Sequence, residues 1–218
     1  IDATFDENGD YVNGSILEYC TVEYGSGIVL NLGNPFINQS TIRYHSGSGI
    51  KMDSHDSANS AATIKITNNT ISSNTVSSKG GGVYLYGYGT VIISGNTISD
   101  NMGSSGGGIG SDAYNVTISG NTIENNKSGR YEYAAVYIDG VRPKWYVPEG
   151  SGGGINGGGT ITGNIIKGNQ ANNGGGIKGG GAITGNVISG NEAHNNKGGG
   201  FYDDSTGTFS NNYVLTNR

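Results

Sequence analysis

The chain has 218 residues, of which 42 are glycine and only 3 proline, and the glycines follow no triplet period, so neither collagen nor a simple linker fits. A net charge of −5 gives no basic footprint for nucleic acid, and no apolar run approaches the ~20 residues that span a bilayer. One cysteine, Cys20, excludes an internal disulfide.

Residues 1–13 precede the first repeat and are expected to lead into it or cover it. With Ile1 in first place and neither a methionine nor a signal peptide, a processed protein or a piece of a longer one is expected. From residue 14 one pattern recurs, and a fixed period is read before any local propensity. Its clearest copies are ISGNTISDN at Ile93, ISGNTIENN at Ile118, ITGNIIKGN at Ile161 and ITGNVISGN at Ile183. Weaker ones begin at Ile66 and Phe209, and degenerate ones at Leu17 and Ile37. The fourth positions form a column of Cys20, Ser40, Asn69, Asn96, Asn121, Asn164, Asn186 and Asn212. Their spacing drifts between 20 and 43 residues, which is wrong for a coiled coil. It suits a solenoid whose coils share short strands and differ in their loops.

An apolar residue stands three before the column and another two after it, as in Ile93 and Ile98. Alternation on either side of a kink reads as two short strands around a tight bend. A third strand opens with glycines, at Ile28, Ile50, Val83, Ile109, Ile155, Ile177 and Phe201. The expected fold is therefore all-β: a right-handed parallel β-helix of about eight coils, three short strands each, in one domain over 14–218. At ~4.8 Å per coil the rod is about 40 Å long.

Asparagine suits such a bend because it tolerates unusual backbone angles and bonds local backbone. Stacked in register, each amide also donates to the next, so an inward ladder satisfies itself. Cys20 falls in that column and reads as a small buried residue. His45 falls at a second ladder turn, where other coils mostly place Asn, and His194 lies in a polar turn. His55 and Asp56, in the loop Ser54 to Ala62, read as polar loop residues, since no further ligand has metal-site spacing.

Between Asn121 and Asn164 about twenty residues are inserted, at about 127–151. The insert holds the lone tryptophan, Trp145, with tyrosines and both charge signs, and long loops on rigid scaffolds concentrate binding. AAVYID at 134–139 is expected as an extra strand, with GGGING from Gly152 keeping the stack. Counting outward along the glycine-opened strand gives one column through Lys51, Tyr84, Tyr137, Lys178 and Tyr202. A second runs through Asp53, Tyr86, Asp112, Asp139 and Asp204. Tyrosines accept the C–H faces of sugars while carboxylates and amides take the hydroxyls. Tyr84, Tyr86, Tyr137, Trp145, Lys178 and Tyr202 are therefore the candidate carbohydrate contacts. On the strand before the ladder, ranks such as Thr117-x-Ser119 and Thr160-x-Thr162 suit an ice-binding face, interrupted by Lys65 and Ile92.

Coils of the ISGNTISDN type followed by GGGI resemble the β-helix repeats of the pectate-lyase-like superfamily over about residues 14–217. The resemblance implies the fold, and a range of functions from lyase and hydrolase to adhesin. VYIDG (Val136 to Gly140) and VRPKW (Val141 to Trp145) resemble the lyase site. There Asp139 would bind Ca²⁺ and Arg142 would act as base, although no histidine follows Asp139. Asp203 and Asp204 resemble a polygalacturonase element, without its GHG or RIK motif. Asp112, Asp139, Asp203 and Asp204 are the candidate metal ligands, and Arg142, Asp139 and Asp112 the candidate catalytic residues.

The reading that follows is a secreted or cell-surface module that binds a polysaccharide without catalysis and requires no cofactor. Lyase or hydrolase activity, with Ca²⁺, and a structural stalk are the alternatives. No cap follows the last ladder position, so further chain or a partner is expected over the C-terminal rim.

Overall fold

A computed structural model describes residues 2–31, 33–54, 63–133, 141–203 and 206–218. Three sheets run along a parallel solenoid. The second is the simplest: eight three-residue strands, Thr21–Glu23 to Tyr213–Leu215, stacked in parallel. Their middle residues Ile42, Ile71, Ile98, Ile123, Ile166 and Ile188 are fully buried. A three-residue strand turns only its middle side chain inward, so one isoleucine per copy is enough to specify the face. The first sheet carries the strand before each bend, from Ile16–Glu18 to Thr208–Ser210. It contributes the parallel buried row Ile37, Ile66, Ile93, Ile118, Ile161 and Ile183.

The glycine-opened strand is not a separate sheet. Val83–Ser94 and Ile109–Ser119 each run unbroken from the glycine turn to the next bend. Strands opening at Ile50, Ile155, Ile177 and Phe201 join the same sheet. In Val83–Ser94 the two halves meet at a register shift between Gly87 and Thr90, where Gly87 and Gly89 take φ of 107 and 112. The true third sheet follows the second bend: Met102–Gly103, Lys127–Tyr133, Gln170–Asn173 and Glu192–Lys197. Its buried column is Gly103, Ser128, Ala171 and Ala193, all small because the glycine turns press close against it.

In the last six coils, at each of two bends a left-handed residue precedes an inward asparagine. Before the first ladder these are Asn68, Gly95, Gly120, Gly163, Gly185 and Asn211, at φ between 53 and 67. The unusual backbone thus sits one residue earlier than the sequence suggests. The ladder asparagine keeps ordinary backbone and spends its side chain inside. Asn121 is typical: its Nδ2 donates to the Ile93 carbonyl at 2.9 Å and to Asn164 Oδ1 at 3.0 Å. Its Oδ1 accepts the backbone N–H of Asn96 at 2.9 Å and the Asn96 side-chain N–H at 3.0 Å. A second ladder does the same through Asn74, Asn101, Asn126, Asn169, Asn191 and Asn217. Of the eight stacked rungs, the last six carry asparagine at both bends, so the regular solenoid is about six turns. In the first two, Cys20 contacts Ser40 and His45 Nδ1 accepts the N–H of Gly25 at 3.1 Å.

At the start, Thr4–Phe5 and Tyr11–Asn13 form an antiparallel pair. It packs on Phe36, whose ring lies 5.5 Å from that of Phe5 and 5.7 Å from that of Tyr11. Lys65 adds an ammonium 4.0 Å from the Phe5 ring centroid.

Candidate functional site

The register of the first sheet fixes the outward columns. Lys51 pairs with Tyr84, Tyr84 with Gly110, Gly110 with Asn156, Asn156 with Lys178 and Lys178 with Tyr202. Asp53, Tyr86 and Asp112 form the parallel row beside it. Tyr84, Tyr86, Lys178 and Tyr202 therefore share one face, as expected. Tyr86 is 37 % exposed, and Tyr84, Lys178 and Tyr202 are half-buried. Gly110, which pairs with Tyr84 on the next coil, is buried under the Gly80 turn: a Cβ there would stand 2.8 Å from the Gly80 nitrogen.

The charges on this face are locally neutralised. Lys79 reaches both oxygens of Asp112, at 2.7 and 2.9 Å, and Lys51 holds Asp53 at 2.8 Å. The Tyr84 hydroxyl lies 3.3 Å from Asp112. Burial first, and then Asp112, push its pKa above the usual tyrosine value, so it remains a donor. Lys79 was not among the expected site residues; it sits in a loop of variable length, where no periodicity marks it.

Tyr137 and Asp139, with the expected strand 134–139, lie outside the described residues, as do Asp204, His55 and Asp56. Arg142 and Asp203 are exposed. Among the described residues, no group of three or more His, Cys, Asp or Glu side chains is placed to hold a metal ion.

Trp145 stands elsewhere. The insert is a hairpin of Lys127–Tyr133 against Lys144–Pro148, rooted in the third sheet beside Met102 and Gln170. Alternation puts Arg130, Glu132, Trp145 and Val147 on one of its faces and Tyr131 and Tyr146 on the other. Trp145 therefore belongs to a different sheet from Tyr84 and does not border the tyrosine face. GGGING keeps the stack, with Ile155 between Ile109 and Ile177. Tyr146 anchors the hairpin: its hydroxyl donates to the Ser128 carbonyl at 2.7 Å, and burial raises its pKa. Arg130 pairs with both Glu132 and Glu149, which raise its pKa further. All three belong to the mixed charges of the insert, but nothing in the sequence pairs them.

Stacked parallel coils, two internal amide ladders and one patterned outer face define a parallel β-helix protein. The chain belongs to the right-handed β-helix family: the family model described as right handed beta helix region matches residues 7–214. That assignment is consistent with the pectate-lyase-like superfamily. No curated protein and no solved structure gives a significant match to the chain. Among the described residues, no helix is long and apolar enough to cross a membrane.

Proposed function

We propose that the protein is a secreted or cell-surface module that binds a polysaccharide along the face of Tyr84, Tyr86, Lys178 and Tyr202. The observation that carries this reading is the outward face on which Tyr84, Tyr86, Lys178 and Tyr202 stand in register beside paired charges. A polymer lying along the rod meets ring faces for its C–H surfaces and polar side chains for its hydroxyls. Binding without catalysis is favoured because both oxygens of Asp112 are occupied by Lys79. A carboxylate held that way is a poor base and a poor Ca²⁺ ligand. No cofactor is required.

The last coil leaves its middle residues Phe209 and Val214 at 41 % and 46 % exposed, where the second to seventh coils bury theirs.

Co-sedimentation with a panel of insoluble polysaccharides tests the reading. At least one should retain the protein, and Tyr84→Ala/Tyr86→Ala should weaken that retention about tenfold, from the loss of two aromatic contacts of ~0.5–1.5 kcal/mol each. Retention on none of them favours the stalk. Release of unsaturated uronate, dependent on Ca²⁺, would replace binding by lyase activity.

A further inference from the structure

The hairpin encloses, against coils three and four, a pocket of about 380 Å³. That lies within the ~300–1,000 Å³ of small-ligand sites. Its apolar lining comes from Val76, Met102 and Tyr131, and its polar lining includes Ser77, Arg130 and Glu149. Met102 faces outward from the third sheet yet is buried, because the hairpin stands over it. Tyr131 is fixed in place, edge-on to Tyr146 at 6.4 Å, with the Lys144 ammonium 4.6 Å from its ring centroid. The cavity is therefore built from a rigid sheet on one side and an anchored hairpin on the other.

We propose that this pocket takes the terminal residues of a neutral glycan and rejects uronates. The proposal rests on the glycan-binding reading above and adds the class of glycan. Among the described residues, Arg130 is the only cation in the lining, and it is paired with Glu132 and Glu149. With Lys144 over the Tyr131 ring, two positive charges face two negative ones, so an incoming carboxylate finds no net positive charge to offset its desolvation. A neutral sugar fits the same groups. Of two adjacent hydroxyls, one donates to the Glu149 carboxylate while the other accepts from the Arg130 guanidinium. The sugar's C–H face lies on Met102 and Tyr131, the amphipathic match that charged or purely apolar ligands lack.

The test is amide NMR of the whole chain titrated with cellotetraose, xylotetraose and mannotetraose, and separately with tetragalacturonate. At least one neutral tetrasaccharide should shift the Met102, Ser104 and Gly129 amides, and tetragalacturonate at equal concentration should leave them in place. Ser77→Trp, at an exposed position in the lining, should weaken the neutral ligand at least tenfold while the Asn164 and Asn186 signals stay put and report an intact coil. Three results would each overturn the proposal: no neutral tetrasaccharide moving those amides, tetragalacturonate moving them as strongly, or Ser77→Trp binding like wild type. Polymer retention by the Tyr84 and Tyr86 face, measured on the same preparations, separates the two readings. Retention without pocket shifts rejects the pocket alone, and loss of both rejects the glycan reading as well.

Discussion

Asn121→Ala should destabilise the protein by about 3–5 kcal/mol, read as a fall in the denaturant midpoint at unchanged slope. The side chain is 1 % exposed and sits mid-ladder. Its removal leaves the Asn96 backbone N–H without its acceptor and takes one of three acceptors from the Asn96 side-chain amide. It also takes the amide donor from the Ile93 carbonyl and from Asn164 Oδ1, which keeps only the backbone N–H of residue 121. Each buried polar group so orphaned costs about 1–3 kcal/mol, and the cavity adds to that. Partial relaxation and water entry keep the total below the simple sum. Asn121→Ser should be milder. At the same level of the second coil, Ser40 Oγ still accepts the Cys20 N–H at 3.3 Å. Equal losses for Ala and Ser would mean that volume, and not the amide relay, is what the column supplies.

Gly153→Ala should cost about 3 kcal/mol or more and reduce soluble yield. Its added Cβ would stand 2.4 Å from the Gly175 carbonyl oxygen and 2.5 Å from that of Gln170. Both are backbone atoms of the next coil, so the clash is relieved only by prying two coils apart. The same level is occupied by Gly81, Gly107 and Gly175, equally tight against the third sheet, and by Gly199, tight against Arg218. Gly163 makes the contrast. A Cβ there meets nothing within 4 Å, and only its φ of 62 opposes alanine. Gly163→Ala should therefore cost about 1–2 kcal/mol. Gly163→Asn should cost less, since Asn68 and Asn211 already hold that conformation. If Gly153→Ala and Gly163→Ala proved equivalent in urea unfolding, close coil packing would not be the reason for the glycines.

These two sites show why some of the fold could be read from residues and some could not. The first ladder and its flanking isoleucines are written plainly, because a three-residue strand with one inward side chain repeats as I-x-x-N-x-I. The third sheet leaves almost no mark. Its buried column of Gly103, Ser128, Ala171 and Ala193 is defined by lack of size, which no alternation of apolar and polar residues reveals. The glycine-opened strand was legible as a strand but not as half of the first sheet, because that continuity depends on a bulge near Gly87. The outward columns followed from register, so Tyr84, Tyr86, Lys178 and Tyr202 were found together. Trp145 was misplaced because a long insert carries no register of its own; pairing of Glu132 with Trp145 ties it to the third sheet instead. Lys79, and the pairing of Arg130 with Glu132 and Glu149, escaped for a related reason, since none of them lies on a repeating position.

The order of causes runs from inside to outside. Two amide ladders and the glycine column fix how each coil lies on the last, and that register alone brings Tyr84 beside Lys51 and Tyr202 beside Lys178. Side-chain amide hydrogen exchange measures the first step without reference to any ligand. The Nδ2 protons of Asn96, Asn121, Asn164, Asn126 and Asn169 should exchange as slowly as the core backbone amides of Ile98 and Ile123, opening only with global unfolding. Exchange of those protons at the rate of exposed asparagines, in a protein that remains folded, would contradict the ladders and with them the aligned outer face.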